Sequence, residues 1–140
     1  MREFSYGIIP YLITDSGVSI LLSRTSLKNT VYDFIKGKIE QGETKKDCVV
    51  REVKEEIGID INQSDLDDYY FQRSKRKDIG LFLINWDKYI DTPFVLEEEE
   101  IADVNWFNVG KLPEVSPNQR LILTDILVKF NKLNYTQRKY

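Results

Sequence analysis

Glu52, Glu55 and Glu56 fall within five residues of one another in the segment Arg51-Glu52-Val53-Lys54-Glu55-Glu56-Ile57-Gly58-Ile59. Carboxylates so crowded repel one another unless something positive sits with them. On a helix turning about 100° per residue, the three share an arc of about 100°. Val49, Val50, Val53 and Ile57 occupy a separate arc, so one helix carries a carboxylate face and a core face. Arg51 is the only cation next to the cluster. Two readings of the acidic face follow. It is a solvated charged face, at a cost of roughly a few tenths of a kcal/mol for like charges at i,i+4, or it holds a cation. Composition narrows which cation. The chain has no histidine and a single cysteine, Cys48. Ser-His-Asp and Cys-His catalysis, His-ligated zinc and Cys-rich metal sites are therefore excluded. Oxygen donors remain, and these suit hard cations such as Mg²⁺ or Mn²⁺.

The spacing around the cluster is specific. Gly37, five residues, Glu43, seven residues, then Arg51-Glu52-aliphatic-any-Glu55-Glu56-any-Gly58-aliphatic meets nine specified positions within 23 residues. This pattern resembles the Nudix box, and the chain is similar to Nudix hydrolases, closest in loop pattern to mRNA-decapping enzymes and dinucleoside polyphosphate hydrolases. The resemblance implies an α/β fold, a Nudix α/β/α sandwich with a mixed sheet between helices. It implies hydrolysis of a nucleoside diphosphate linked to another group, with Mg²⁺ or Mn²⁺ as cofactor. By the same resemblance Glu52, Glu55 and Glu56 ligate metal together with the Gly37 carbonyl. Glu43 and Arg51 support catalysis, Arg51 by holding a carboxylate in its rigid fork. A non-catalytic nucleotide- or RNA-binding module keeping the fold is the alternative. Such relatives usually lose box glutamates, and this chain keeps them all.

Residues flanking the box refine the reading. Many Nudix enzymes carry proline two residues before the first box glycine; here Ile35 stands there, a departure expected to alter strand-to-loop geometry. Lys36-Gly37-Lys38 resembles the decapping and dinucleoside polyphosphate versions. Lys36 or Lys38 binds a substrate phosphate as a point charge, or is a plain loop lysine. In "EEEEIADVNWF", Glu100 matches a loop glutamate of decapping-like members. It is the candidate general base or additional metal ligand, with Glu97, Glu98 and Glu99 beside it; an acidic surface loop is the plainer reading. With Glu55, these residues make the expected catalytic set Glu55, Glu100, Arg51 and Glu43. "RSKRK", Arg73 to Lys77, is a solvated turn or an RNA-backbone contact. Tyr11, Phe34, Tyr69, Tyr70, Phe71 and Phe82 are core residues or base-stacking partners. Cys48 reads as a small buried filler.

The elements that must position these groups follow from local pattern. Strands are expected over 6–14, 18–24, 31–35, 67–73, 79–86 and 103–109. Pro10 suggests that the first is an edge strand or bulged. A helix starts at the N-cap Thr44, with Asp47 in the capping-box position, and ends at Gly58. A second spans 118–130, with apolar Leu121, Ile122, Ile126, Leu127 and Phe130. The order β-β-β-α-β-β-β-α points to a mixed sheet with a helix on each side. The 140 residues fit a single domain, 1–140. No apolar run has the length of a membrane span and no signal-peptide cleavage site is present, so a cytoplasmic protein with no membrane partner is expected. A net charge of −3 argues against a dedicated DNA or RNA binder. A nucleotide or an RNA 5′ end is the expected partner; both remain open, as does the oligomeric state.

Overall fold

The computed structural model describes residues 2–26 and 30–139, with the side chains of residues 118 and 132–139 outside the described set. Six strands, β1 (Glu3–Thr14), β2 (Gly17–Arg24), β3 (Ile35–Lys38), β4 (Leu66–Arg73), β5 (Lys77–Asn85) and β6 (Asp103–Asn108), form one sheet. Its order is β4-β5-β1-β2-β6, with β3 also paired to β1. The β1–β5 pair is parallel and the other pairs are antiparallel, so the sheet is mixed. Helix α1 (Lys45–Ile57) covers one face and α2 (Arg120–Lys139) the other. This is the α/β sandwich that the resemblance implied.

Strand alternation divides the core. On one face Tyr6, Ile8, Leu12, Phe82 and Ile84 meet Cys48, Val49, Val53 and Ile57 of α1. On the other, Ile9, Ile79, Leu81 and Leu83 meet Ile122, Ile126 and Phe130 of α2. Each fully buried Val, Ile or Phe contributes about 1.5–3 kcal/mol by leaving water.

Strand β1 organises the site because its two edges differ. Along one edge β5 pairs with Glu3 through Tyr11. The other edge is shared: β3 pairs with Ser5 to Ile8, and β2 with Tyr11 to Thr14. Pro10 therefore lies in a central strand, contrary to the edge expectation. The Tyr11 carbonyl accepts from the Trp86 N–H at 3.0 Å, so Tyr11 faces β5. Pro10 turns its nitrogen the other way, where the partner changes from β3 to β2 and no ladder bond is lost.

Strand β3 is also displaced from the expected 31–35. Tyr32 and Asp33 make only single bridges, to Val115 and Ser23, whereas Lys36, Gly37 and Lys38 pair with Gly7, Tyr6 and Ser5. The reading of Lys36 to Lys38 as loop is corrected: their strand partner is some 30 residues away and leaves no local signature. Helix α2 begins at Arg120 and runs past Phe130. Leu121 is 64% exposed rather than part of the core stripe, which Ile122, Ile126 and Phe130 form; the N–H groups of Leu121 and Ile122 both donate to the Gln72 Oε1 that caps the helix start.

The cap signals of α1 were legible. Thr44 Oγ1 accepts from the Asp47 N–H and Asp47 Oδ2 from the Thr44 N–H, both at 3.1 Å. Gly58 ends the helix at φ 73°. Beyond it, the Val95 and Glu97 N–H groups donate to the carbonyls of Ile57 (2.9 Å) and Glu56 (3.0 Å). Two carbonyls without partners inside the helix thereby pin the acidic loop to the end of α1.

Candidate active site

A cavity of about 370 Å³ opens beside the Gly37 edge of the sheet. Its walls are Ser5, Lys36, Gly37, Lys38, Glu52, Glu55, Glu56, Lys77, Glu97 and Glu100. Two other hollows, of about 450 and 460 Å³, are larger but lack this pairing of a carboxylate cluster with a lysine cluster.

The carboxylates come from two elements. Glu52, Glu55 and Glu56 stand on α1, as the arc argument requires. Glu97 and Glu100 arrive on the loop pinned to the helix end, where the N–H groups of Glu100 and Ile101 close a turn onto the Glu97 carbonyl. Gly37 lets Glu52 approach: a Cβ there would stand 2.0 Å from the Glu52 carboxyl carbon. The Gly37 carbonyl accepts a weak bond from the Cys48 thiol at 3.6 Å. Cys48 is fully buried, as expected, and burial pushes its thiol up to about 12.

Arg51 organises the acids around it. Its Nε and Nη2 grip Glu43 at 2.7 and 3.0 Å, a bidentate fork. Nη1 donates to Glu52 Oε1 at 2.7 Å and to Glu55 Oε2 at 3.2 Å, and Nη2 also reaches the Lys38 carbonyl. Glu43 in turn accepts from the Glu40 N–H at 2.8 Å, tying the loop before α1 to the helix. The Arg51 bond holds the Glu43 carboxyl below its ordinary range. Glu52 is pushed up by burial, which outweighs Arg51. Glu56 is 6% exposed, and burial, then the Glu52 charge, push it up to about 8.

The opposite wall is basic. Lys36 pairs with Asp33 at 3.0 Å and Lys38 with Glu3 at 2.9 Å. Lys77 stands with them, its ammonium pushed below its ordinary range by burial and then by Lys36. In register, Ser5, Lys38, Lys36 and Lys77 project from the side of the sheet opposite Tyr6 and Gly37.

Every residue expected at the site comes together in this region: Gly37, Glu52, Glu55, Glu56 and Glu100 with Lys36 and Lys38 in the cavity wall, Arg51 and Glu43 directly behind them. Glu98 and Glu99 do not reach the wall. Sequence reasoning missed Ser5 and Lys77 as wall residues. In the sequence Lys77 is only the end of a basic run; its place depends on the parallel pairing of β1 with β5, which no local pattern reveals.

The donor chemistry fits a hard divalent cation: five carboxylates face one cavity, and the buried Glu56 carboxyl makes no hydrogen bond among the described residues. Among the described residues no three acidic side chains converge as an ion cage; Glu52 and Glu55 are turned toward Arg51.

A family model described as NUDIX domain matches residues 5–126. The NAD-capped RNA hydrolase NudC of Pseudomonas aeruginosa is 31% identical over 117 residues, covering 83% of this chain and 41% of that protein. NudC of Vibrio atlanticus is 33% identical over 90 residues, 64% of this chain and 32% of that protein. The chain thus spans about two-fifths or less of the length of these curated relatives. Among solved structures, MutT studied from Aliivibrio salmonicida and Vibrio cholerae superposes with a TM-score of 0.67 at 18% identity, covering 93% of this chain and all of that one. A C. elegans Ap4A hydrolase superposes at 0.61 and 17% identity, covering 99% of each chain. The box geometry and the matched family model agree, and the chain belongs to the Nudix hydrolase family.

Proposed function

We propose that this chain, folded as one domain, is a Mg²⁺- or Mn²⁺-dependent pyrophosphohydrolase that cleaves the diphosphate linkage of a nucleoside diphosphate-X substrate. The substrate is an RNA 5′ end or cap, a dinucleoside polyphosphate or a nucleoside triphosphate. One observation carries the reading: a single cavity sets five carboxylates against Lys36, Lys38 and Lys77. Such a cavity accepts cations on one wall and phosphate oxygens on the other. A diphosphate bridged by a divalent ion needs both.

Glu52, Glu55, Glu56 and Glu100 with the Gly37 carbonyl are the groups that would hold the ions. Bound divalent ions neutralise phosphate charge and make water a better nucleophile. Arg51 fixes Glu52 and Glu55, and Glu43 fixes Arg51. Glu100, carried on a loop rather than locked to Arg51, would either complete that ligand set or take the proton of the attacking water. Lys36, Lys38 and Lys77 hold the phosphate oxygens as point charges. The names of the relatives support the substrate class: NAD-capped RNA and Ap4A both contain nucleoside phosphoanhydrides. A cytoplasmic setting belongs to this reading. The test is a substrate panel with Mg²⁺ or Mn²⁺, its products resolved by chromatography. It includes NAD-capped and triphosphorylated RNA, NAD, dinucleoside polyphosphates, ADP-ribose and nucleoside triphosphates. Cleavage of at least one diphosphate linkage, abolished by chelator, is expected. Inertness toward the whole panel overturns the proposal.

A further inference from the structure

The basic run Arg73 to Lys77 is divided by the fold. Lys77 lines the cavity, while Arg73, Lys75 and Arg76 are exposed around the β4–β5 turn immediately outside it. Arg73 reaches Asp78 only at 4.0 Å. No carboxylate pairs with the side chain of Lys75 or Arg76 among the described residues.

The turn that carries these cations is held from several directions. Arg2 Nη1 donates to the Ser74 carbonyl and to Asp78 Oδ1, both at 2.7 Å, and Nη2 to the Lys75 carbonyl at 3.3 Å. The Glu3 N–H donates to the Arg76 carbonyl at 2.9 Å. The Ser74 N–H and hydroxyl both donate to the Lys77 carbonyl. The cations thus project from a fixed backbone, which lowers the ordering cost of binding. They do so on a chain whose net charge is −3, so the cations of this turn stand against an acidic overall balance.

On the hydrolase reading, a free dinucleotide such as NAD would place both of its phosphates at the lysines inside the cavity, leaving none for the cations outside. A single-stranded RNA continues with one phosphodiester per nucleotide beyond the diphosphate. We infer that the β4–β5 turn is a binding track for the RNA that follows a 5′-terminal diphosphate, with Lys75 and Arg76 contacting its backbone. This rests on the hydrolase reading for the placement of the diphosphate, and it makes an RNA 5′ end the preferred substrate class.

The test separates binding from turnover. A 3′-labelled single-stranded RNA of about 20 nucleotides with a 5′-diphosphate is titrated by fluorescence anisotropy in chelator, across a range of salt. The wild type is expected to bind this RNA at least about tenfold more tightly than ADP at low salt. The Lys75→Gln/Arg76→Gln variant, its fold checked by circular-dichroism melting, is expected to bind the RNA at least about fivefold more weakly. Its slope of log affinity against log salt should be shallower by about 1.4, two contacts at about 0.7 each. The charge-conserving Lys75→Arg/Arg76→Lys variant should keep the wild-type slope. Should the double Gln variant fail to fold, each single variant is read for half the slope change. Equal affinity for RNA and ADP, or an unchanged slope in the Gln variants, overturns the track. Wild-type cleavage of the full substrate panel, RNA ends and small nucleotides alike, is measured independently; its absence removes the hydrolase reading and leaves the RNA-binding result standing.

Discussion

An alanine at position 37 would put its methyl carbon 2.0 Å from the carboxyl carbon of Glu52. The obstructing group is the end of a flexible side chain, so the fold can yield at small cost while the carboxylate is displaced. Gly37→Ala is expected to melt within a few degrees of the wild type yet lose about a hundredfold in kcat, the scale of a 1 Å misplacement. Melting and steady-state kinetics on one preparation check both halves. Glu100 and Glu98 provide a second contrast, since only Glu100 reaches the cavity wall. Glu100→Gln should lower kcat by about 10²–10⁴-fold with little change in KM, the signature of a lost general base. Glu98→Gln should leave kcat untouched. A fall at Glu97→Gln instead would keep the loop and move the base by three residues. Cys48, buried with its thiol pushed up to about 12, should resist alkylation in the native protein and react only on unfolding.

At the scale of elements, α1 is the part that brings the acids together, and both its ends are specified locally. The Thr44–Asp47 capping box and the Gly58 terminus stand where the sequence placed them. Gly58 also has a tertiary duty: at φ 73° a Cβ would lie 2.7 Å from Val95 Cβ, on the segment that pins the acidic loop. Gly58→Ala should therefore destabilise by about 1–2 kcal/mol for the left-handed backbone, plus the cost of moving Val95. It should also reduce activity more than a stability loss explains, because Glu97 and Glu100 hang from that segment. Denaturant unfolding compared with activity at a temperature where both proteins are fully folded tests this. Strand β3 shows the opposite case. Its residues, Lys36-Gly37-Lys38, have weak strand propensity, and only pairing with β1 makes them a strand.

For the whole molecule, the buried acid links stability to pH and metal. The Glu56 carboxyl is at about 8 in the folded chain against an ordinary 4.5. Between those values the native state holds a proton that the unfolded state has released. Stability of the metal-free protein should therefore be highest on the acid side of this window and fall as pH rises from about 4.5 through about 8. Mg²⁺ or Mn²⁺ competes with that proton, so the rise in melting temperature on adding metal should grow over the same interval. Glu56→Gln should flatten the pH dependence, raise metal-free stability at pH 8 and abolish most metal stabilisation and turnover. Melting curves across pH, in chelator and in millimolar metal, provide the measurement. A wild-type profile that is flat with pH, or turnover retained in Glu56→Gln, would remove Glu56 from the site.

The sequence by itself determined the family, the helix with its acidic and apolar faces, both helix caps and the three helical glutamates of the carboxylate wall. These follow from short-range rules: a fixed spacing of glycines and acids, a period of 3.6 and capping chemistry that acts over three residues. It also placed the later strands to within two residues at each end. Only the tertiary structure decided which strand lies beside which. That choice made β1 central, gave Pro10 a place between β3 and β2, and set Lys77 next to Lys36 and Lys38 across 40 residues of chain. It also decided that Glu97 and Glu100, rather than all four loop glutamates, face the cavity, through two backbone bonds to the end of α1. The physical reason is common to all of these. Propensity and periodicity act over a turn or a strand, whereas the basic wall and the loop register depend on pairing between segments far apart in the chain.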